Sequence, residues 1–143
     1  CIPVMSYNYG AAREDRLKES LRIGTIVAII LTSISIVLLW VFTKNILMTF
    51  NTPDEVLEFG IFGIRVMSLS YVFVGITTMI ASYMQSTKNV GKSILINLCR
   101  QLLVLVPVMF IGSKTFGLKG IWSAFLVTEL ICVVLSFVLY KKT

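Results

Sequence analysis

The stretch Ile23–Phe42, IGTIVAIILTSISIVLLWVF, contains no charged residue and lies between Arg22 and Lys44. A bilayer core about 30 Å thick requires about 20 helical residues to cross it. The stretch has that length, and its apolar side chains suit lipid rather than water. It therefore predicts a membrane-spanning α-helix.

Three further stretches have the length and composition of membrane spans. Together the predicted spans cover residues 23–42, 62–87, 93–112 and 120–140, and residues 1–10 look like the last turns of an earlier helix. Pro107 lies inside the third span, where a proline frees a backbone carbonyl and kinks the helix. The chain is therefore predicted to be an all-α membrane protein with four transmembrane helices and the end of a preceding helix.

The composition favours the same class of protein. Of the 143 residues, 57% are hydrophobic and 14% are charged, and the mean hydropathy is +0.90. A soluble domain of this size would expose more apolar surface than water tolerates. The sequence has no histidine and no nucleophile motif, so we expect no enzyme, no metal site and no cofactor. Because the chain begins at Cys1 within an apolar stretch, we expect an N-terminal part to precede it.

Basic residues near the span ends predict the orientation in the membrane. Eight lie on one side of the predicted bundle and three on the other. The larger set is Arg13, Arg16, Lys18, Arg22, Lys88, Lys92, Lys141 and Lys142; the smaller set is Lys44, Lys114 and Lys119. The side with the larger set, which includes the C-terminus, is predicted to be cytoplasmic. These basic residues are a topology signal, and no nucleic-acid partner is expected.

Two local patterns concern helix packing and helix ends. Small residues recur every fourth position at Ser20, Gly24, Ala28 and Thr32, which predicts a face that another helix approaches closely. Residues 52–55, TPDE, form a capping-box pattern with a proline at its second position. This pattern predicts that a helix starts there, outside the membrane.

The segment PVMSYNYGA at residues 3–11, followed by Arg13, Arg16 and Lys18, resembles the bacterial branch of the multidrug and toxic compound extrusion (MATE) family. Pro3, Tyr7, Asn8 and Gly10 belong to the motif that carries the resemblance. Later features are similar in the same order: Gln85-Ser86 with Lys88, Arg100 with Pro107, and Phe116-Gly117-Leu118 with Gly120-Ile121-Trp122. The resemblance covers the whole chain, as the last third of a twelve-helix protein.

The resemblance implies a secondary antiporter in the bacterial cytoplasmic (inner) membrane. It would export drugs or other amphipathic or cationic organic compounds in exchange for protons or sodium ions. Two six-helix lobes would enclose a central cavity and alternate between inward- and outward-facing states. This chain would form part of the second lobe, with the N-terminal lobe of the same protein as its partner.

Two departures from the family pattern bear on this expectation. Members of this branch usually have glutamine before the proline, and Ile2 stands there in this chain. Some relatives bind the coupling cation through a carboxylate on the tenth helix, but the corresponding run Val66–Thr87 contains none. A sodium site at that place is therefore not expected.

Glu129 lies near the middle of the last span and is the candidate for cation coupling. A charge at that depth costs about 2.5–3.5 kcal/mol on insertion scales. That cost predicts that Glu129 faces the bundle interior, is paired or is protonated, and a carboxyl group there could exchange a proton during transport. The alternative is a structural residue that bonds a neighbouring helix or a water molecule.

Four residues are candidates for lining the cavity. Asn97, Arg100 and Gln101 are spaced i, i+3 and i+4, so they share one face of a regular helix. That face could line the cavity or offer Glu129 a partner, whereas Arg100 could instead extend to the lipid headgroups. Tyr71 in the second span is of a kind that stacks on flat cationic substrates.

Two other functions are compatible with these features. A lipid-linked oligosaccharide flippase of the same superfamily shares the helix layout, and a basic central cavity would favour it. A non-transporting membrane assembly subunit would have no polar cavity, and none of its activities would depend on Glu129.

Overall fold

The computed structural model describes residues 1–50 and 53–141, and nearly all of them are helical, with no strand in these two ranges. The helices are α1 (Ile2–Gly10), α2 (Glu14–Thr49), α3 (Asp54–Ser86), α4 (Val90–Leu98) and α5 (Leu105–Lys141), and a π-helical turn (Cys99–Leu103) joins the last two. This confirms the all-α fold. Helix α3 begins directly after Pro53, close to the predicted start. Thr52 of the capping-box pattern and Lys142 of the basic set lie outside the described residues.

Helix α5 is broken at Gly117, where φ is 60° and ψ is −136°. A Cβ atom on Gly112 would lie 2.7 Å from the carbonyl oxygen of Gly120, although eight residues of straight helix span about 12 Å. The chain therefore folds back on itself at Gly117. We call residues 105–116 the first arm of α5 and residues 118–141 the second arm.

Three helical stretches are long and apolar enough to cross a membrane: Glu14–Thr49, Val56–Ser86 and Val90–Lys141. The third has 52 residues, more than twice the length of about 20 that one crossing needs, and it reverses at Gly117. The protein is therefore a multi-pass membrane protein. The individual span limits at 23–42, 62–87, 93–112 and 120–140 stay predictions.

The small residues of α2 form the contact face that their spacing predicts. Ala28 Cβ and Thr32 Cγ2 lie 3.5 and 3.6 Å from the position a Cβ atom would take on Gly75 of α3, and the side chain of Met79 packs directly on Gly24. At the start of the same face, Ser20 Oγ accepts a hydrogen bond from Asn8 Nδ2 of α1 at 3.4 Å. The close approach of α1 and α3 to α2 confirms this prediction.

The distortion expected at Pro107 takes the form of the π-helical turn on its N-terminal side. Pro107 has no N–H group, so it cannot bond the carbonyl of Leu103 as a regular helix would require. The backbone N–H of Val104 instead donates to Cys99 O at 2.9 Å, across five residues, and the α-helical pattern resumes with Val108 N–H bonded to Val104 O at 3.1 Å. The sequence thus indicates where the helix is irregular but not which form the irregularity takes.

The Gly112–Gly120 contact gives a first test of the fold. We expect Gly120→Ala to destabilise the full-length protein by about 1–3 kcal/mol, the usual cost of overpacking, because the added methyl group meets the Gly112 backbone, which cannot rotate away. The measurement is the unfolding free energy or thermal midpoint in detergent. Gly91→Ala is the matched control, since a Cβ atom there meets nothing within 4 Å. Equal stability of the two variants would refute the close packing of the two arms.

Candidate cation-coupling site

The second arm of α5 presents its small and polar residues on one face. Its buried residues recur mostly at every fourth position: Gly120, Ala124, Thr128, Glu129, Cys132 and Ser136. The apolar residues between them, such as Val134 and Phe137, are exposed, as expected of side chains that contact lipid. Helical periodicity therefore turns Glu129 toward the neighbouring helices.

Glu129 is paired with Arg100 of the π-helical turn. The Oε1 atom of Glu129 lies 3.8 Å from Nε of Arg100, and their side chains are only 10% and 21% exposed. Arg100 also places Nη1 at 3.5 Å from the hydroxyl oxygen of Thr78 on α3. Since an isolated charge at this depth is costly, the guanidinium compensates the carboxylate. Arg100 thus joins three elements, with the buried Glu129 on one side and the exposed hydroxyl group of Thr78 on the other.

Three buried side-chain oxygens on the inner face of the second arm make no hydrogen bond within the described residues. They are Oε2 of Glu129, Oγ1 of Thr128 and Oγ of Ser136. A polar atom without a partner is costly where no water or lipid group can replace it. The carboxyl group can meet this constraint in two ways: ionised beside Arg100, or protonated with a hydroxyl group that can donate a hydrogen bond.

The structure brings only one of the four cavity-lining candidates into contact with Glu129. Asn97 is exposed and donates to the carbonyl oxygen of Ser93 at 3.1 Å, Gln101 is exposed, and Tyr71 is 38% exposed. The prediction of a shared face assumed a regular helix, but the π-helical turn begins between Asn97 and Arg100 and changes their relative direction. Whether these side chains line a cavity in the complete protein stays a prediction.

The motif residues fix the end of α1 against α2. Asn8 is 7% exposed, its side chain reaches Ser20, and its carbonyl oxygen accepts the N–H of Arg13 at 2.9 Å. Pro3 lies in the first turn of α1, Gly10 is its last residue, and the Tyr7 side chain is 70% exposed. These contacts are those of a helix terminus and its connecting turn.

Sequence reasoning did not single out Thr128 and Ser136, which are buried on the same arm as Glu129. The signal was present, because hydroxyl residues lay one position before and seven positions after the only acidic residue of the span. Within the part of the chain that the structure describes, no group of three or more His, Cys, Asp or Glu side chains is placed to hold a metal ion. The site as described consists of the Glu129 carboxylate, its Arg100 partner and the Thr78 hydroxyl group that Arg100 reaches.

Curated relatives match nearly the whole chain. The FAD transporter of Shewanella oneidensis is 27% identical over 99% of this chain, and the multidrug export protein MepA of Staphylococcus haemolyticus is 24% identical over 98% of it. In both cases the matched region is 31% of the relative. The chain therefore spans about a third of the length of the curated relatives it matches.

A solved structure and a family profile agree with these relatives. The structure described as the inward-facing conformation of a multidrug resistance MATE family transporter of the MOP superfamily superposes with a TM-score of 0.91, covering 99% of this chain and 33% of that one. At 16% identity this likeness concerns the fold alone. Residues 1–111, well over half of the chain, match the MatE family. The chain therefore belongs to the MATE family of transporters.

Proposed function

We propose that the complete protein is a proton-coupled antiporter that exports bulky amphipathic or cationic organic compounds, and that this chain contributes part of its second lobe. The observation that carries the proposal is the buried Arg100–Glu129 pair, which joins α3, the π-helical turn and the second arm of α5. Membership of the MATE family supports a transport role rather than a catalytic one. The multidrug export proteins among the relatives support the class of substrate.

The charge balance of the pair supports coupling to transport. When Glu129 is ionised, it and Arg100 carry no net charge; when Glu129 binds a proton, the uncompensated guanidinium remains 3.8 Å away. A buried unpaired charge is strongly unfavourable. Protonation therefore favours any arrangement of the helices in which Arg100 reaches water or another acceptor. A proton that binds one arrangement more tightly than the other shifts the equilibrium between them.

Arg100 also supports protons over sodium ions at this site. A sodium ion bound to Glu129 would lie close to the guanidinium charge, and the repulsion between two cations would oppose binding. A proton forms a covalent bond to the carboxylate and needs no shell of oxygen ligands. We therefore assign proton exchange to Glu129, and other parts of the complete protein are free to contribute further coupling groups.

The orientation belongs to the same proposal. The basic residues at the start of α2, between α3 and α4, and at the end of α5 lie at one end of the helices, which we place in the cytoplasm of a bacterial cell according to the positive-inside rule. The opposite end has Lys44, Lys114 and Lys119, and Arg65 lies toward it, with its guanidinium 5.9 Å from the centre of the Trp40 ring. A cysteine placed next to Lys141 should then react only with membrane-permeant thiol reagents in intact cells.

A second candidate substrate has support from one relative. The Shewanella oneidensis protein is named an FAD transporter and is 27% identical to this chain, slightly more than the MepA protein at 24%. A flavin dinucleotide is a large aromatic anion, so it differs from cationic drugs in charge. Export of ethidium and of FAD from the same cells therefore separates the two candidates.

Glu129→Gln tests the coupling role. Glutamine keeps the size of the side chain but cannot exchange a proton, so we expect ethidium efflux driven by a pH gradient to fall at least tenfold in cells expressing the full-length variant. Ethidium binding to the purified protein should change little. Glu58→Gln, which removes an exposed carboxylate of α3, is the control and should transport normally. Efflux by Glu129→Gln with unchanged rate and pH dependence would remove Glu129 from the mechanism.

Arg100 gives an independent test of the pair. Arg100→Gln leaves Glu129 buried without its cation, and we expect a loss of about 3–5 kcal/mol in unfolding free energy when the carboxylate is ionised. The double variant Arg100→Gln/Glu129→Gln should recover much of that loss, since two neutral amides remain. A double-mutant cycle at two pH values measures the coupling. Additive effects of the two substitutions would show that the side chains do not interact.

A further inference from the structure

Two cavities adjoin at the end of the bundle that carries Lys18, Arg22, Tyr83 and Tyr140, which we call the basic end. The first, of about 330 Å³, is an apolar slot between α2, α3 and the second arm of α5, with Ile26, Ile76, Ile80 and Phe137 in its walls and Lys18 and Arg22 at its rim. The second, of about 480 Å³, is a polar vestibule lined by Tyr9, Glu14, Thr87 and Asn89, among others. Lys18 and Tyr140 line both cavities.

The charged side chains that line the two cavities are Lys18, Arg22 and Glu14, and together they carry one positive charge. Lys18 lies 3.9 Å from Glu14, and both side chains are largely exposed, so this pair is weak. Arg22 makes no ion pair within the residues described. It stands directly before the apolar run that begins at Ile23, where we expect lipid headgroups to meet the acyl chains. The slot therefore combines an unbalanced cation with an apolar interior.

The position of Tyr140 fits a boundary between apolar and polar surroundings. Its ring packs edge-on against Tyr83, with ring centroids 5.1 Å apart, at the junction of the two cavities. Tyrosine is enriched where one end of the side chain is apolar and the other is wet. An occupant that crosses this junction needs an apolar tail and a polar head.

We propose that the slot and vestibule form a specific binding site for an anionic phospholipid with a single phosphate and an uncharged head alcohol, such as phosphatidylglycerol. The phosphate lies between Lys18 and Arg22, and one acyl chain follows Ile26, Ile76 and Phe137 into the slot. The head alcohol occupies the vestibule, where Asn89 and Tyr140 offer hydrogen-bonding groups. Basic pockets between transmembrane helices bind lipid headgroups in this way.

The charges argue against the other amphiphiles available in a membrane. Lys18 and Arg22 repel a cationic compound of the kind proposed as substrate, so the site does not suit such a substrate. The ammonium group of phosphatidylethanolamine cancels its phosphate and leaves the positive charge of the site unbalanced. Phosphatidylglycerol carries one negative charge, which balances the positive charge of the site.

Quantitative lipid analysis of the full-length protein tests the proposal. The protein is purified from membranes or reconstituted in bilayers with equal amounts of phosphatidylglycerol and phosphatidylethanolamine, and the tightly bound lipids are measured by native mass spectrometry. We expect phosphatidylglycerol to be enriched, and Arg22→Gln to reduce its apparent affinity about fivefold, the usual effect of one cation at an anionic surface. Lys44→Gln removes one charge from the other end of α2 and should leave the enrichment unchanged.

A second variant pair tests the slot without changing charge. Ile26→Trp fills the slot at a position that is 48% exposed, whereas Ile30→Trp places the same side chain one turn further along α2 at a position that is 53% exposed and outside the slot. We expect only Ile26→Trp to lose bound phosphatidylglycerol. Equal retention in both tryptophan variants, or equal loss in Arg22→Gln and Lys44→Gln, would overturn the proposal. Because bound lipid is measured directly, the result is independent of whether the protein exports drugs.

Discussion

The absence of water around the apolar runs is the constraint from which the rest of this structure follows. Lipid cannot hydrogen-bond the backbone, so each span must satisfy its own N–H and C=O groups, and an α-helix is the simplest segment that does so. The same constraint acts on side chains, because a hydroxyl or carboxylate that faced lipid would lose its partners. Polar residues therefore turn inward and apolar residues outward, the reverse of a soluble protein. Thr77, Thr128 and Ser136 are almost completely buried, whereas Leu31, Val41 and Val134 are largely exposed.

Close packing at small residues holds the helices together, beside two clusters of buried large apolar residues around Met84 and Met5. In lipid an apolar side chain gains little by leaving the surface, and association depends on van der Waals contact and on hydrogen bonds between helices. Glycine permits that contact at Gly24, Gly75 and the Gly112–Gly120 crossing. Hydroxyl groups meanwhile bond their own helix, as Thr32 does with the carbonyl of Ala28 at 2.7 Å and Thr77 with that of Phe73 at 3.0 Å. Each such bond lets a polar residue pack against a neighbour at little cost.

The sequence predicted those features that depend on regular periodicity and failed where the helix is irregular. The apolar runs and the small face from Ser20 to Thr32 were readable because a regular helix repeats its faces every three to four residues. The pairing of Arg100 with Glu129 was one of three possibilities that the sequence left open, beside a cavity-lining role and extension of Arg100 to the lipid headgroups. The sequence did not indicate that Asn97 and Gln101 would lie away from the Arg100–Glu129 pair. Pro107 indicates that a carbonyl is freed nearby, but the choice between a bend and a π-helical turn depends on packing against α3 and α5, which one helix's sequence does not specify.

The energies available at the Arg100–Glu129 pair limit what it can do in transport. Changing a two-state equilibrium from 1:99 to 99:1 requires about 5.5 kcal/mol of differential binding, whereas breaking a buried ion pair by neutralising one member costs about 3–5 kcal/mol. A single proton on Glu129 can therefore supply most of the bias between two arrangements of the helices, but not all of it. The remainder must come from substrate binding or from groups that lie outside this chain. On the proposed mechanism, the pair acts as a sensor of protonation, and its effect depends on how much better Arg100 is solvated in one state than in the other.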